Sequence, residues 1–147
     1  MSKIEKTRDY LFEVIYSLVE DRGFQINADF LGNKGDYSLD RIPTEPIVEK
    51  WISGINIKRE LYNFRSRKSY SQDTINNLAN IGYFEELEEK IKSNNDKGIL
   101  PDIENILSIK CLNCGSLNSV DGTQAIFDMQ IEITYIESNM EVSLWKR

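Results

Sequence analysis

Ala125, Phe127, Met129, Ile131, Ile133 and Tyr135 fall on every second residue, with the mostly polar Gln124, Asp128, Gln130, Glu132 and Thr134 between them. Successive side chains of a strand point to opposite faces, so this period of two predicts a long strand with one buried and one wet face. Asp121-Gly122, just before it, carries the residues of a tight hairpin turn. The run from Leu107 to Leu117 is then the expected antiparallel partner. A long hairpin with a half-polar face suits assembly against neighbours better than catalysis.

The remaining pattern places helices and strands in separate blocks. Ile4, Leu11, Val14, Ile15, Leu18 and Val19 follow helical spacing, which predicts an amphipathic N-terminal helix closed at Arg22-Gly23. Phe24 to Leu31 reads as a strand or extended arm, and Gly32 to Asp36 as a turn. Tyr37 to Tyr70 has strand composition, interrupted by Pro43 and Pro46 and turned at Ser53-Gly54. Its last part, from Ile55, predicts a long strand with Tyr62 and Phe64 on one face and Leu61 on the other. Ser71 is a good N-cap for a central helical segment that Gly82 breaks or kinks. Phe84, Leu87 and Ile91 continue the helical spacing through Glu85, Glu86, Glu88 and Glu89 to a stop at Lys97-Gly98. Helix, strands, helices, strands is the order of an α+β fold: a mainly antiparallel sheet with a long C-terminal hairpin, flanked by an N-terminal helix and a central helical segment. No linker or repeat divides the 147 residues, so one domain is expected, with a tail from about 138 to 147.

Composition narrows the chemistry. Histidine is absent, which removes the commonest general base, the commonest zinc ligand and the usual partner of a Ser or Cys nucleophile. Cys111 and Cys114 form a single CxxC, too few ligands for a standard zinc site; they read as two semi-buried thiols on opposite faces of a strand, the alternative being a metal shared between subunits. A net charge of −6 and a pI near 4.8 argue against general nucleic-acid binding. No apolar run has the length of a transmembrane helix, and the charge-threaded N-terminus is not a signal peptide, so a cytosolic product is expected. Neither a nucleotide-binding, a hydrolase nor a metalloprotease motif occurs, and no catalytic, cofactor or metal residue is assigned. The acidic run at Glu85 to Glu89 reads as a solvated helix face.

Two patches stand out as candidate interfaces. Lys58, Arg59, Arg65, Arg67 and Lys68 gather five of the 18 basic residues on the long strand, which makes a solvated strand edge, a surface complementary to an acidic patch on another copy or another protein, or, against the net charge, a nucleic-acid contact. Gln124, Asp128, Gln130 and Glu132 form the polar side of the C-terminal strand. Trp51 reads as core, and Trp145, in the terminal SLWKR, as a docking residue.

The segments YSLDRIPTEPIV, RSRKSYSQDTINNLANIGYFEELEEKI, LPDIENILSIKCLN and VDGTQAIFDMQIEITYIE resemble, in their order, the tail terminator proteins of phages and prophages, related to minor capsid and tail completion families. The resemblance covers about residues 1–138 and rests on the pattern of elements; the CLNC spacing and the SLWKR tail depart from it. It implies an α+β subunit of a homo-hexameric ring that caps the tail tube, stops its polymerisation and offers a surface to the head connector or, in contractile tails, the sheath end. It also implies a structural, non-enzymatic component of a phage-like particle or headless bacteriocin, assembled in the bacterial cytoplasm. Partners would be other copies, the tube protein, and the sheath or connector, with no membrane or nucleic acid. The alternatives are a head–tail connector or completion protein and a non-phage adaptor domain.

Overall fold

The computed structural model describes residues 2–18, 24, 26–28, 37–50, 54–69, 74–113, 116–121 and 124–138, with the backbone alone at 28, 67–69, 74–81, 116–121, 124, 125 and 138. The chain runs α1 (Lys3–Tyr16), β1 (Ile26–Ala28), β2 (Tyr37–Ile42), β3 (Ile47–Lys50), β4 (Ile55–Ser69), α2 (Thr74–Asp96), β5 (Ile106–Cys111), β6 (Ser116–Asp121) and β7 (Gln124–Ser138). Among the described residues it is a mixed fold of two helices and a mostly antiparallel sheet, as the separation of element types predicts.

The sheet is built around one pair. β4 and β7 are antiparallel over 15 consecutive positions, from Ile55 opposite Ser138 to Ser69 opposite Gln124. β2 and β3 flank β4 in turn, and β5 and β6 flank β7. Each outer column is therefore one strand interrupted midway. β1 adds a short parallel edge beside Tyr37–Leu39. Pro43 and Pro46 explain the first interruption, since proline cannot donate to a ladder; the chain leaves β4 after Ile42 and returns at Ile47.

Alternate residues of the sheet turn to the helices. Tyr37 and Leu39, Tyr62 and Phe64, Ile109, and Phe127, Met129, Ile131 and Ile133 form one cluster with Tyr10, Leu11, Val14 and Ile15 of α1 and Phe84, Leu87 and Ile91 of α2. Aromatic packing ties the layers: Tyr37 stacks on Phe64 at 5.1 Å and Phe84 lies 5.3 Å from Phe127. Tyr62 and Phe64 share one face, as their alternation predicts, and the structure makes it the buried one; β7's apolar set from Phe127 to Tyr135 is buried as expected.

Three expectations need correction. β7 does not pair with one strand over Leu107–Leu117 but with β5 and β6 separately, and its longest partner is β4, 55 residues away in no local pattern. α1 ends at Tyr16 with Ser17 as its C-cap rather than at Gly23; residues 19–23 lie outside the described set. Its start is a capping box: the Ser2 hydroxyl accepts from the Glu5 N–H while the Glu5 carboxylate accepts from the Ser2 N–H. Gly82 does not break the central helix, which is continuous from Thr74 to Asp96; packing of Phe84, Leu87 and Ile91 outweighs the roughly 1 kcal/mol a single helical glycine loses. The expected stop is right. Gly98 sits at φ +76° while its N–H and that of Ile99 bond the carbonyls of Asn95 and Asn94, a Schellman end.

Candidate functional site

The residues of the sheet that turn away from the core make a second face, and among the described residues neither helix lies on it. Cross-strand rows define it: Ser38–Arg65–Asp128, then Asp40–Asn63–Gln130, Ile42–Leu61–Glu132–Lys110, Arg59–Thr134–Ser108 and Glu49–Ile57–Ile136. The two patches read separately from the sequence, basic on β4 and polar on β7, thus meet on one surface. Arg65 is directly opposite Asp128, and Arg59 opposite Thr134.

Strand alternation also divides the basic cluster. Lys58 lies in register with the inward Tyr135 and so belongs to the core side, while Arg59 and Arg65 belong to the open side. Arg67, Lys68 and Gln124 hold ladder positions opposite Ile126, Ala125 and Ser69, with side chains outside the described set. Cys114, Trp51 and Trp145 lie outside it altogether; Cys111 ends β5, its thiol 3.4 Å from the Met129 thioether.

The charges on these faces are held within the chain. Arg59 Nη1 donates to Glu132 Oε2 at 3.2 Å and its Nε to the Glu45 carbonyl at 3.2 Å. Arg65 forms an ion pair with Asp40, whose other oxygen accepts from the Ser38 hydroxyl at 2.6 Å; Ser38 is fully buried. Only 17% of the Asp40 side chain and 14% of that of Glu132 meet solvent, so the face expected to be wet is half-buried by its own long side chains. Ser108 and Thr134 share a hydrogen bond at 2.6 Å. Between these pairs stand the half-buried Ile42 opposite Leu61 and Ile57 opposite Ile136.

On the core side the sheet ends in a polar network. Lys58 Nζ donates to Glu137 Oε1 at 2.8 Å, and that bond, ahead of a small opposing effect of burial, raises the Lys58 pKa above its ordinary value. The Tyr62 hydroxyl donates to Glu60 Oε1 at 2.5 Å; burial first, and this carboxylate second, push its pKa far above the phenol range. Lys3 sits 4.8 Å over the Tyr135 ring. Deeper in the core the hydroxyls of Tyr37 and Tyr83 are 2.6 Å apart, and burial pushes Tyr83 up to about 12.

Chemically, Lys58, Arg59 and Arg65 present charges already paired with Glu137, Glu132 and Asp40. Among the described residues no group of three or more Cys, Asp and Glu is placed to hold a metal ion, and no helix is long and apolar enough to cross a membrane. A notch of about 420 Å³ opens where the prolines interrupt the sheet, lined by Arg41, Ile42, Pro43, Thr44, Pro46, Arg59, Glu60 and Leu61. Sequence reasoning missed it because it forms where β2 leaves β4: Arg41, opposite the inward Tyr62, reaches it from the core side and Arg59, 18 residues on, from the open side. Compared with known proteins, the chain matches no family model and no curated protein.

Proposed function

We propose that the chain is a structural subunit of a phage-like tail, a terminator that joins other copies in a ring and caps the tube, with the open sheet face as its principal contact surface. The observation that carries this reading is the internally paired face across β4 and β7. A surface whose charges already have partners can be covered without stranding an unpaired ion, which is the large penalty in burying charge. Ile42, Leu61, Ile57 and Ile136 supply apolar area between the ion pairs. Strands of 15 residues rise about 3.3 Å per residue, and four columns lie about 4.8 Å apart. The face is therefore on the order of 800 Å², the area per partner of an ordinary specific interface. The segment order described above supplies the tail context.

Leu61→Lys tests the surface. Leu61 is directly opposite Glu132, so the new ammonium finds an opposite charge on the neighbouring strand and the fold should survive. It nevertheless puts a strongly hydrated group in the middle of the face. Particles assembled with this variant should carry tubes of uncontrolled length, and normal tube lengths would remove the face from the assignment. In particles lacking the chain altogether, overlong or uncapped tubes support the terminator, whereas normal tails without heads favour a connector. A subunit with no affinity for tubes favours an adaptor.

A further inference from the structure

We infer that the proline notch receives the Ile99–Asn105 loop of a second copy, a head-to-tail contact between opposite edges of the sheet; this rests on the ring reading above and names the residues that make the ring.

The notch offers aliphatic walls and two guanidinium groups, Arg41 from the core side of the sheet beside Glu60 and Arg59 from the open side. Arg41 is 68% exposed and its nearest carboxylate oxygen, on Glu60, is 3.6 Å away, too far for a strong hydrogen bond. Arg59 is fixed by Glu132 and the Glu45 carbonyl, which engage two of its five N–H donors and leave three without a partner among the described residues. Ile42, Leu61, Pro43 and Pro46 supply apolar surface, and the prolines fix two of the backbone torsions around it. β1 covers only the Tyr37–Leu39 end of β2, so among the described residues the edge is open at the notch.

The loop presents the complementary chemistry. The Asp102 side chain is fully exposed, Glu104 is exposed, and Ile99 is 52% exposed. Between them Pro101 and Ile103 are buried and anchor the loop. The Ile106 N–H closes a turn on the Ile103 carbonyl, with Asn105 at φ +62°, a conformation asparagine tolerates. The Asn105 carbonyl then accepts from Ile136 of β7 at 3.0 Å. A loop held this firmly loses little entropy on docking.

Position argues for a second copy. Ile47, Lys58, Tyr135 and Ile106 form one cross-strand row, so notch and loop lie at the same level on opposite edges, about three strand spacings or 14 Å apart. The anchored loop cannot reach its own notch. Unlike features on opposite edges give a heterologous contact, the kind that closes into a ring when its rotation permits.

The test is complementation. Arg41→Glu makes a subunit with a reversed notch; Asp102→Lys/Glu104→Lys makes one with a reversed loop. All three side chains are exposed, so both variants should fold, which circular dichroism checks. In sedimentation velocity at low salt the wild type should associate, while each variant alone should lose at least about tenfold in association constant, the effect of one like-charge contact of about 1.4 kcal/mol. Mixed in equal amounts, the two variants should associate again, because each notch then meets a loop of opposite charge. Variants that associate like the wild type, or a mixture that stays as weak as its components, would overturn the loop–notch contact while a self-associating wild type leaves the ring reading intact. A wild type that stays monomeric both alone and on tube ends would overturn the ring reading and this contact with it.

Discussion

Arg65 is expected to serve the fold before it serves any partner, and a double-mutant cycle with Asp40 measures that. The Arg65 side chain is 28% exposed and that of Asp40 17%; they form an ion pair across β2 and β4, Ser38 bonds the second Asp40 oxygen, and Asp128 stands opposite Arg65 on β7. Exposed ion pairs are worth about 0.2–1 kcal/mol, and breaking a fully buried pair by removing one partner costs about 3–5 kcal/mol. Burial here lies between those cases, so Arg65→Ala and Asp40→Ala should each destabilise by about 2 kcal/mol, with a coupling of about 1–2 kcal/mol between them. For a chain of this size the single changes translate into a fall in Tm of roughly 4–8 °C. Urea denaturation of the wild type, both single variants and the double variant gives the coupling, and repeating it in high salt should leave most of it, because screening acts weakly on part-buried charges. A coupling below about 0.5 kcal/mol would put the pair in the exposed class and refute the reasoning. Arg65→Glu is correspondingly a poor probe of assembly: it would place a third carboxylate beside Asp40 and Asp128 and weaken the fold itself.

Three further outcomes follow from the packing. Tyr83 is held neutral up to about pH 12, whereas an unfolded tyrosine ionises near pH 10, so the unfolded state releases its proton first and this group alone lowers stability by about 2–3 kcal/mol as pH rises from 10 to 12, with the raised Tyr37 and Tyr62 adding to the fall; urea midpoints that stay constant over that range would contradict it. Gly98→Ala meets no atom within 4 Å of the added carbon, so its effect is purely that of the backbone at φ +76°, a loss of about 1–2 kcal/mol by thermal denaturation; an unchanged Tm would mean that the helix end tolerates a side chain. Phe84→Ala removes a fully buried ring that packs on Tyr83 and Phe127 and should cost about 3–5 kcal/mol in urea denaturation; a loss under 1 kcal/mol would show that α2 is not seated there.

Local chemistry made much of the fold legible. The period of two placed Phe127, Met129, Ile131 and Ile133 in the core, and Lys97-Gly98 ended the central helix where the left-handed glycine sits. The prolines marked an interruption, with β4 still pairing on both sides of it. What stayed hidden was adjacency. Alternation tells which residues of β7 share a face but not which strand lies beside them, and β4 becomes the neighbour of β7 only through contacts some 70 residues apart. Glycine propensity misled at Gly82 for a related reason: tertiary packing of the next helical turn outweighed a local preference.

The candidate site depended still more on adjacency. Five basic residues on one strand read as a patch seeking acid elsewhere, yet Lys58 finds Glu137, Arg59 finds Glu132 and Arg65 finds Asp40 within the same sheet. Two of these partners come from the very strand read as a separate polar face. A charge seen in sequence is available to another molecule only after its own chain has declined it. By that measure Arg41 and Asp102, neither conspicuous in a cluster, outrank the crowded strand: Arg41 has no carboxylate within 3.5 Å among the described residues, and Asp102 reaches Lys6 only at 3.8 Å from full exposure. Long-range recognition is therefore expected at the two edges of the sheet, and the paired open face supplies area that can be covered at little electrostatic cost.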